Sequence, residues 1–146
     1  MQMLKSLYEK DFNLWTEAQT QALREKRFDD LDIPSLIEEI SDLAKRDKKA
    51  LRSHLRILLL HLLKWQYQPD KRSTSWSTSI ANARIEIEDL LTDSPSLKPY
   101  LPSIQAKTYG QARLLATKET TLPLHQFPAR CPYTLDQLLD PNFLPG

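Results

Sequence analysis

Aromatic, basic and hydroxyl-bearing residues gather at one junction of the chain, and together they suit the binding of an anion. The free N–H groups of a helix N-terminus attract anions, and Lys71 and Arg72 would add positive charge there. The alternative is that Trp65 and Trp76 pack a helix corner while the serines cap the next helix. The candidate ligand- or partner-binding residues of this junction are Lys64, Trp65, Tyr67, Lys71, Arg72, Ser73, Trp76 and, on the preceding turns, His61.

Charge is segregated between two adjacent segments. Six acids and no base lie from Asp29 to Asp42, whereas six bases and one acid lie from Lys45 to Arg56. Such bases would track a phosphate backbone, or they would form a solvated face paired with nearby acids. No aromatic residue lies between them to stack on nucleobases, and the net charge is only +1, so we favour the solvated face. The candidate basic stripe on one helical face comprises Lys45, Lys48, Lys49, Arg52 and Arg56.

The histidines lack the spacing of a metal site. His54 and His61 are seven residues apart, which separates their backbones by about 10.5 Å along a helix. Helical metal pairs use a spacing of three or four residues, so we predict no metal and no cofactor. Either histidine can instead pair with a carboxylate of a neighbouring helix, such as Glu39 or Glu86, or be hydrogen-bonded in the core.

A cysteine nucleophile is the remaining catalytic possibility. Cys131, His125 and Asp136 are the residue types of such a nucleophile and its base. They lie in or beside a proline-rich tail, and no catalytic signature surrounds the cysteine. We therefore predict no catalytic residue, and we favour a protein that is not an enzyme.

The elements that position these residues are expected to be helices. Only Gly110 and Gly146 are glycines, and nine of the ten prolines lie from Pro69 onward. This pattern predicts an all-α fold: a compact bundle of about five helices with a long central helix and a proline-rich C-terminal tail carrying a short helix. We expect a single domain over 1–146, with the bundle at 1–122 and the tail at 123–146.

Periodicity and capping residues place the first helices. A capping box of Ser6 and Glu9 predicts a helix from about Leu7 to Lys26, and Asp32 is expected to cap the second. No glycine or proline interrupts 35–68, and an unbroken helix of that length would span roughly 50 Å. Because that is long for a chain of this size, we expect a bend or break near Asp47. The apolar residues that follow the helical period before that point are Leu36, Ile37, Ile40, Leu43 and Ala44.

Apolar stripes and turn residues place the later helices. The central helix is expected to bury a wide stripe made of Leu51, Leu55, Leu58, Leu59, Leu62 and Trp65. Ser73 or Ser75 is expected to cap a helix that ends at the Asp93-Ser94-Pro95 turn. A short helical turn over 97–101 precedes a helix over 102–120 with Ile104, Ala112 and Leu115 inward. Thr134 and Gln137 have the spacing of a second capping box.

Several strings in the chain resemble a known family. The run from Leu36 to Trp76 contains IEEISDL, LRSHLRILLLHLLKWQYQP and RSTSW. The opening YEKDFNLWTEAQTQALREKRFDDLD, the DSPSLKPYL turn and the ending CPYTLDQLLDPNFLP extend the similarity over nearly the whole chain. Together they resemble the bacterial domain-of-unknown-function family numbered 29, abundant in cyanobacteria. The resemblance implies an all-helical bundle and no activity, because no function is established for that family.

Three functions fit these patterns. The first is a small helical interaction module whose partner is another protein, with a homo-oligomer as a further possibility. The second is a ligand- or metal-binding domain or an enzyme at the Trp65–Trp76 corner, with His54, His61 and Glu39. The third is weak nucleic-acid association through the Lys45–Arg56 segment. A single cysteine and the lack of a long apolar run predict a cytoplasmic protein that no membrane anchors.

Overall fold

Helices and turns make up the part of the chain that the structure describes. The computed structural model describes residues 7–146, and no strand occurs within them. The prediction of an all-α fold is therefore confirmed. The α-helices are a segment at 7–10, α1 (Phe12–Arg24), α2 (Ile33–Tyr67), α3 (Thr74–Asp93), α4 (Leu101–Thr120) and α5 (Leu135–Leu139). Short 3-10 turns lie at Phe28–Asp30, Pro69–Lys71, Pro95–Tyr100 and Leu124–Gln126.

The chain divides into two compact units, Met1–Arg46 and Asp47–Gly146. Each unit has its own buried residues, and the two are described separately below. The expectation of one domain over 1–146 stays a prediction. None of the helices within 7–146 is long and apolar enough to cross a membrane.

The prediction of one helix from Leu7 to Lys26 is wrong, because two helical segments occupy this range. The helical segment at 7–10 stops at Asp11, whose carboxylate accepts a hydrogen bond from the backbone N–H of Leu14 at 3.1 Å. Aspartate offers the backbone an alternative partner and favours the N-cap over a helix interior, so α1 begins anew at Phe12. The capping box of Ser6 and Glu9 requires Ser6, which lies outside the described residues.

A left-handed residue ends α1. Lys26 has φ 59°, and the Arg27 N–H bonds the Ala22 carbonyl at 2.8 Å while the Lys26 N–H bonds the Leu23 carbonyl. These two bonds satisfy carbonyls that the helix end would otherwise leave without partners. The motif turns the chain toward the Phe28–Asp30 turn and α2.

Asp32 caps α2, as the sequence predicts. Its Oδ1 accepts from the Ser35 N–H at 3.4 Å, and its own N–H donates to the side-chain oxygen of Gln19 at 2.8 Å. Gln19 lies on the buried face of α1 with Trp15 and Ala22. These contacts hold the start of α2 within the first unit.

Of the bend or break expected in α2 near Asp47, the break is wrong and the bend stays a prediction. The helix is continuous over 35 residues from Ile33 to Tyr67, with Asp47 inside it. No glycine or proline occurs between Ser35 and Gln68, so no residue removes a backbone hydrogen bond or forces another conformation. The size of the chain was a weaker guide than the lack of any helix breaker.

The second unit is built around the C-terminal half of α2. The predicted leucines Leu51, Leu55, Leu58, Leu59 and Leu62 are at most 1% exposed, so the central apolar stripe is confirmed, with Trp65 half-buried at its end. Residues of α3 and α4 pack in the same cluster, among them Ile80, Ile87, Leu101, Ile104 and Ala112. Ile104 and Ala112 point inward as predicted, whereas Leu115 is 37% exposed and that prediction is wrong. Ala116, one residue later, takes the buried position.

Capping residues start α3 and α5 where the sequence placed them. The Ser73 hydroxyl oxygen accepts from the Trp76 N–H at 3.2 Å, which fixes Ser73 as the cap of α3. Thr134 and Gln137 form the predicted reciprocal capping box at α5. Both caps therefore confirm the boundaries read from the sequence.

Side chains of α3 and α4 hold the irregular tail. The Arg84 guanidinium donates to the carbonyls of Leu138 and Gln137 at 2.9 and 3.2 Å. Arg113 donates to the Phe127 carbonyl at 2.9 and 3.2 Å through two of its nitrogens. These bonds give the tail carbonyls side-chain donors, and the Gln137 carbonyl also accepts from the Asp140 N–H at 3.3 Å.

Candidate functional site

Two of the three cations of the predicted Trp65–Trp76 corner, Lys64 and Arg72, have partners within the protein. The Lys64 ammonium lies 3.1 Å from a carboxylate oxygen of Glu119 and 4.8 Å from the ring centre of Trp76. Lys64 is also buried, which strengthens its attraction to both groups. This lysine therefore ties α2 to α3 and α4.

Arg72 is engaged in the same way. Its Nε donates to the Trp65 carbonyl at 2.8 Å, its Nη2 donates to the Gly146 carbonyl at 2.8 Å, and its guanidinium lies 5.0 Å from the Trp65 ring centre. Two of the five N–H donors of this guanidinium are thus taken by backbone carbonyls, and its face lies near an aromatic ring.

The other predicted residues of the corner have separate roles. Tyr67 packs edge-on against Phe127 at 5.3 Å between ring centres, and Ser73 caps α3. The Nδ1 of His61 lies within hydrogen-bond distance of the Ile57 carbonyl oxygen, at 2.8 Å. Lys71 is exposed in its 3-10 turn. The contacts favour the packing interpretation of this corner, and a ligand site there stays a prediction.

His54 pairs with a carboxylate of a neighbouring helix, as one prediction had it. Its Nε2 lies 4.0 Å from a carboxylate oxygen of Glu86 on α3. Within residues 7–146, no group of three or more histidines, cysteines, aspartates or glutamates is arranged to hold a metal ion.

Cys131 has polar neighbours other than the predicted base. Its sulfur lies 3.6 Å from the side-chain nitrogen of Gln105 and 3.5 Å from the Tyr133 carbonyl. No hydrogen bond among the described residues joins it to His125 or Asp136. The same surroundings bury Tyr133 and raise the pKa of its phenol, with burial as the main cause.

An exposed apolar stripe on α2 is the feature of the first unit that sequence reasoning missed. Its four members are about half to two-thirds exposed: Ile33 49%, Ile37 60%, Ile40 65% and Leu43 55%. Their spacing of three and four residues places them along one side of the helix. The sequence pattern correctly predicted the helix, but the same spacing is found in core-facing helices and therefore does not report exposure.

Exposed apolar side chains are concentrated in the first unit. Fourteen large hydrophobic residues are exposed in the described chain, and eight of them precede Asp47. The first unit therefore carries more than half of them on less than a third of the residues. Besides the apolar stripe, they are Phe12, Leu14, Leu23 and Phe28. Large exposed apolar patches are, in general, typical of interaction surfaces.

Negative charge accompanies the apolar stripe. Glu38 and Asp42 lie on α2 between members of the stripe, and neither forms an ion pair among residues 7–146. Glu39 accepts a hydrogen bond from the Tyr8 hydroxyl at 2.6 Å and lies 3.7 Å from Arg46. The hydrogen bond to Glu39 raises the pKa of Tyr8 to about 12. The first half of α2 is thus both apolar and acidic.

The basic stripe is divided among different surroundings. Lys45 is exposed in the first unit, and the Lys48 ammonium lies 5.3 Å from the ring centre of Tyr100 in the second. The remaining three bases, Lys49, Arg52 and Arg56, line a cleft against α4. The sequence thus placed three cations on one side of this cleft without showing what stands opposite.

The fold and the capping pattern define an all-helical protein over the described residues. Residues 7–144 match the family described as Domain of unknown function DUF29, and the chain belongs to that family. No curated protein and no solved structure matches the chain. Membership therefore agrees with the resemblance seen in the sequence and assigns no activity.

Proposed function

We propose that this protein is a helical protein-interaction module that uses the apolar stripe of α2 to dock an amphipathic helix of another protein. The exposure of Ile33, Ile37, Ile40 and Leu43 along one side of a helix carries the proposal. A partner helix lays its own apolar face against such a stripe, with anchors spaced three and four residues apart. We place this function in the cytoplasm, because a single cysteine suits a reducing compartment.

Burial of the apolar stripe supplies a meaningful part of a binding free energy. Complete burial of an isoleucine or leucine contributes about 1.5–3 kcal/mol, and these four side chains are roughly half exposed. Covering all four would therefore contribute about 3–6 kcal/mol before the entropic cost of association. That is enough to make the stripe the centre of an interface whose rim is polar.

The charges around the apolar stripe indicate the chemistry of the partner. Between Asp29 and Asp42 there are six acids and no base, so a partner with lysine and arginine beside its apolar face fits best. Such complementarity speeds association and discriminates against acidic partners, and salt weakens it. A second copy of this chain would bring acids against acids if equivalent segments of α2 faced each other.

Affinity capture from the host with matched variants tests the proposal. The variant Ile37→Ser/Ile40→Ser removes the two most exposed members of the stripe. Ile85→Ser is the control, since Ile85 is 53% exposed on α3. We expect a partner that the wild type and the control retain and that binds the double variant roughly thirty- to hundredfold more weakly when purified. Equal affinity of the double variant and the control would refute the proposal.

A further inference from the structure

The structure assigns an anion-binding site to the second unit, in the cleft between α2 and α4, and we propose that its ligand is the phosphate group of a small phosphate monoester. The cleft has a volume of about 240 Å³. Its walls carry four cations and no carboxylate, from Lys49, Arg52 and Arg56 on α2 and Lys107 on α4. This site does not depend on the proposed interaction through the apolar stripe.

The cations reach the cleft because of their spacing on two helices. Lys49, Arg52 and Arg56 follow one another at three and four residues, so α2 presents all three on the side that meets α4. Lys107 comes from the opposite wall, one turn after Ser103. Four cationic residues therefore line one cleft from two helices, whereas a surface that tracks a nucleic-acid backbone spreads its cations along a line.

The two arginines are held in place while keeping donors for a ligand. An Arg52 Nη1 hydrogen donates to the Tyr100 hydroxyl at 2.7 Å, and an Arg56 Nη1 hydrogen donates to the side-chain oxygen of Gln111 at 3.4 Å. Each guanidinium has five N–H donors, so each retains several for oxygens in the cleft. Both arginines are half-buried, which strengthens their attraction to an anion relative to fully exposed cations.

No acid balances these charges within the described chain. Lys49, Arg52, Arg56 and Lys107 form no ion pair among residues 7–146. By contrast, Lys64 in the Trp65–Trp76 corner has Glu119 as its partner. Like charges that share a cleft repel one another, and a bound anion relieves that repulsion. The cleft is therefore complementary to negative charge from outside the chain.

A phosphate monoester matches the cleft better than a carboxylate does. Near neutral pH it carries almost two negative charges and three acceptor oxygens, which suits four converging cations and bidentate arginines. The side chains of Ser53 and Thr108 also line the cleft and add polar groups. The volume of about 240 Å³ accommodates a phosphate group with a small attached group.

Calorimetric titration with phenyl phosphate and with inorganic phosphate, at constant ionic strength in chloride, tests the site. The variant Lys49→Gln/Lys107→Gln removes one exposed lysine from each wall. Lys45→Gln/Lys71→Gln is the control: it removes the same two positive charges from residues that do not line the cleft. We expect one phenyl phosphate to bind per chain. The first variant should lower the affinity about tenfold or more, and the control should lower it less than about twofold.

The pH dependence and a nucleic-acid probe complete the test. Because the second ionisation of a phosphate monoester has a pKa near 6, affinity should rise as the pH increases from about 5 to about 7.5. A fluorescent single-stranded oligonucleotide is expected to bind no more tightly than phenyl phosphate. No heat from either phosphate, an equal loss in both variants, or binding of the oligonucleotide alone would overturn the assignment.

Discussion

Replacement of Arg84 tests how the tail is held to the second unit. Arg84 is 7% exposed and donates to the carbonyls of Leu138 and Gln137 at the end of α5. Burial lowers the pKa of its guanidinium, because desolvation disfavours the charged form. Part of the free energy of the hydrogen bonds therefore offsets this desolvation cost. A hydrogen bond from a charged donor contributes about 1.5–3 kcal/mol, and two are lost in Arg84→Met. After that offset, we expect Arg84→Met to lower the free energy of unfolding by about 2–3 kcal/mol.

Urea denaturation followed by circular dichroism and tryptophan fluorescence measures this loss. We expect a lower midpoint with an unchanged dependence on urea, since the fold itself is preserved. Arg84→Lys is the matched variant: it keeps the charge and the length but loses the fork that reaches both carbonyls, so it should recover less than half of the loss. A change below about 0.5 kcal/mol for Arg84→Met would refute the role assigned to these bonds.

Two further perturbations address the ends of the chain. Replacing Thr134 with alanine removes the hydroxyl of the capping box and should lower the free energy of unfolding by about 1 kcal/mol, measured by urea denaturation, whereas Thr134→Ser should leave it nearly unchanged. The phenol of Tyr8 should titrate with a pKa of about 12 in nuclear magnetic resonance of its ring, and Glu39→Gln should return that pKa toward 10. Because the folded state raises this pKa, the contribution of the pair to stability is present below about pH 10 and is lost as the pH rises to about 12. An unchanged Tyr8 pKa in Glu39→Gln would show that the hydrogen bond is not its cause.

Local signals in the sequence were sufficient for most helix boundaries. Caps such as Asp32, Ser73 and Thr134 act on backbone groups two or three residues away, so their effect can be read without knowing the fold. The same physics explains the interruption at Asp11, an aspartate within a periodic run that caps α1. The continuity of α2 follows from the lack of any glycine or proline between Ser35 and Gln68. The size of the chain does not limit the length of a single helix, so the break expected on that ground is wrong.

The candidate sites depend on contacts that the sequence does not contain. The periodicity of Ile37 and Ile40 is the same for a buried and an exposed helix face, so only the structure shows that these side chains are exposed. The basic stripe was visible in the sequence, but Lys107 lies more than fifty residues after Arg56, and its position opposite the stripe arises from the packing of α4 on α2. Conversely, Lys64 looked available for a ligand until its pairing with Glu119 was known.

Photo-crosslinking in the host cell tests the central claim, that the apolar stripe of α2 docks another protein, most directly. A benzophenone amino acid placed at Ile40, the most exposed member of the stripe, would be compared with one placed at Ile85 on α3. The proposed interaction predicts a discrete crosslinked product at Ile40 alone, containing a segment with a basic amphipathic helix. The absence of a product at Ile40, or the same products at Ile40 and Ile85, would contradict it.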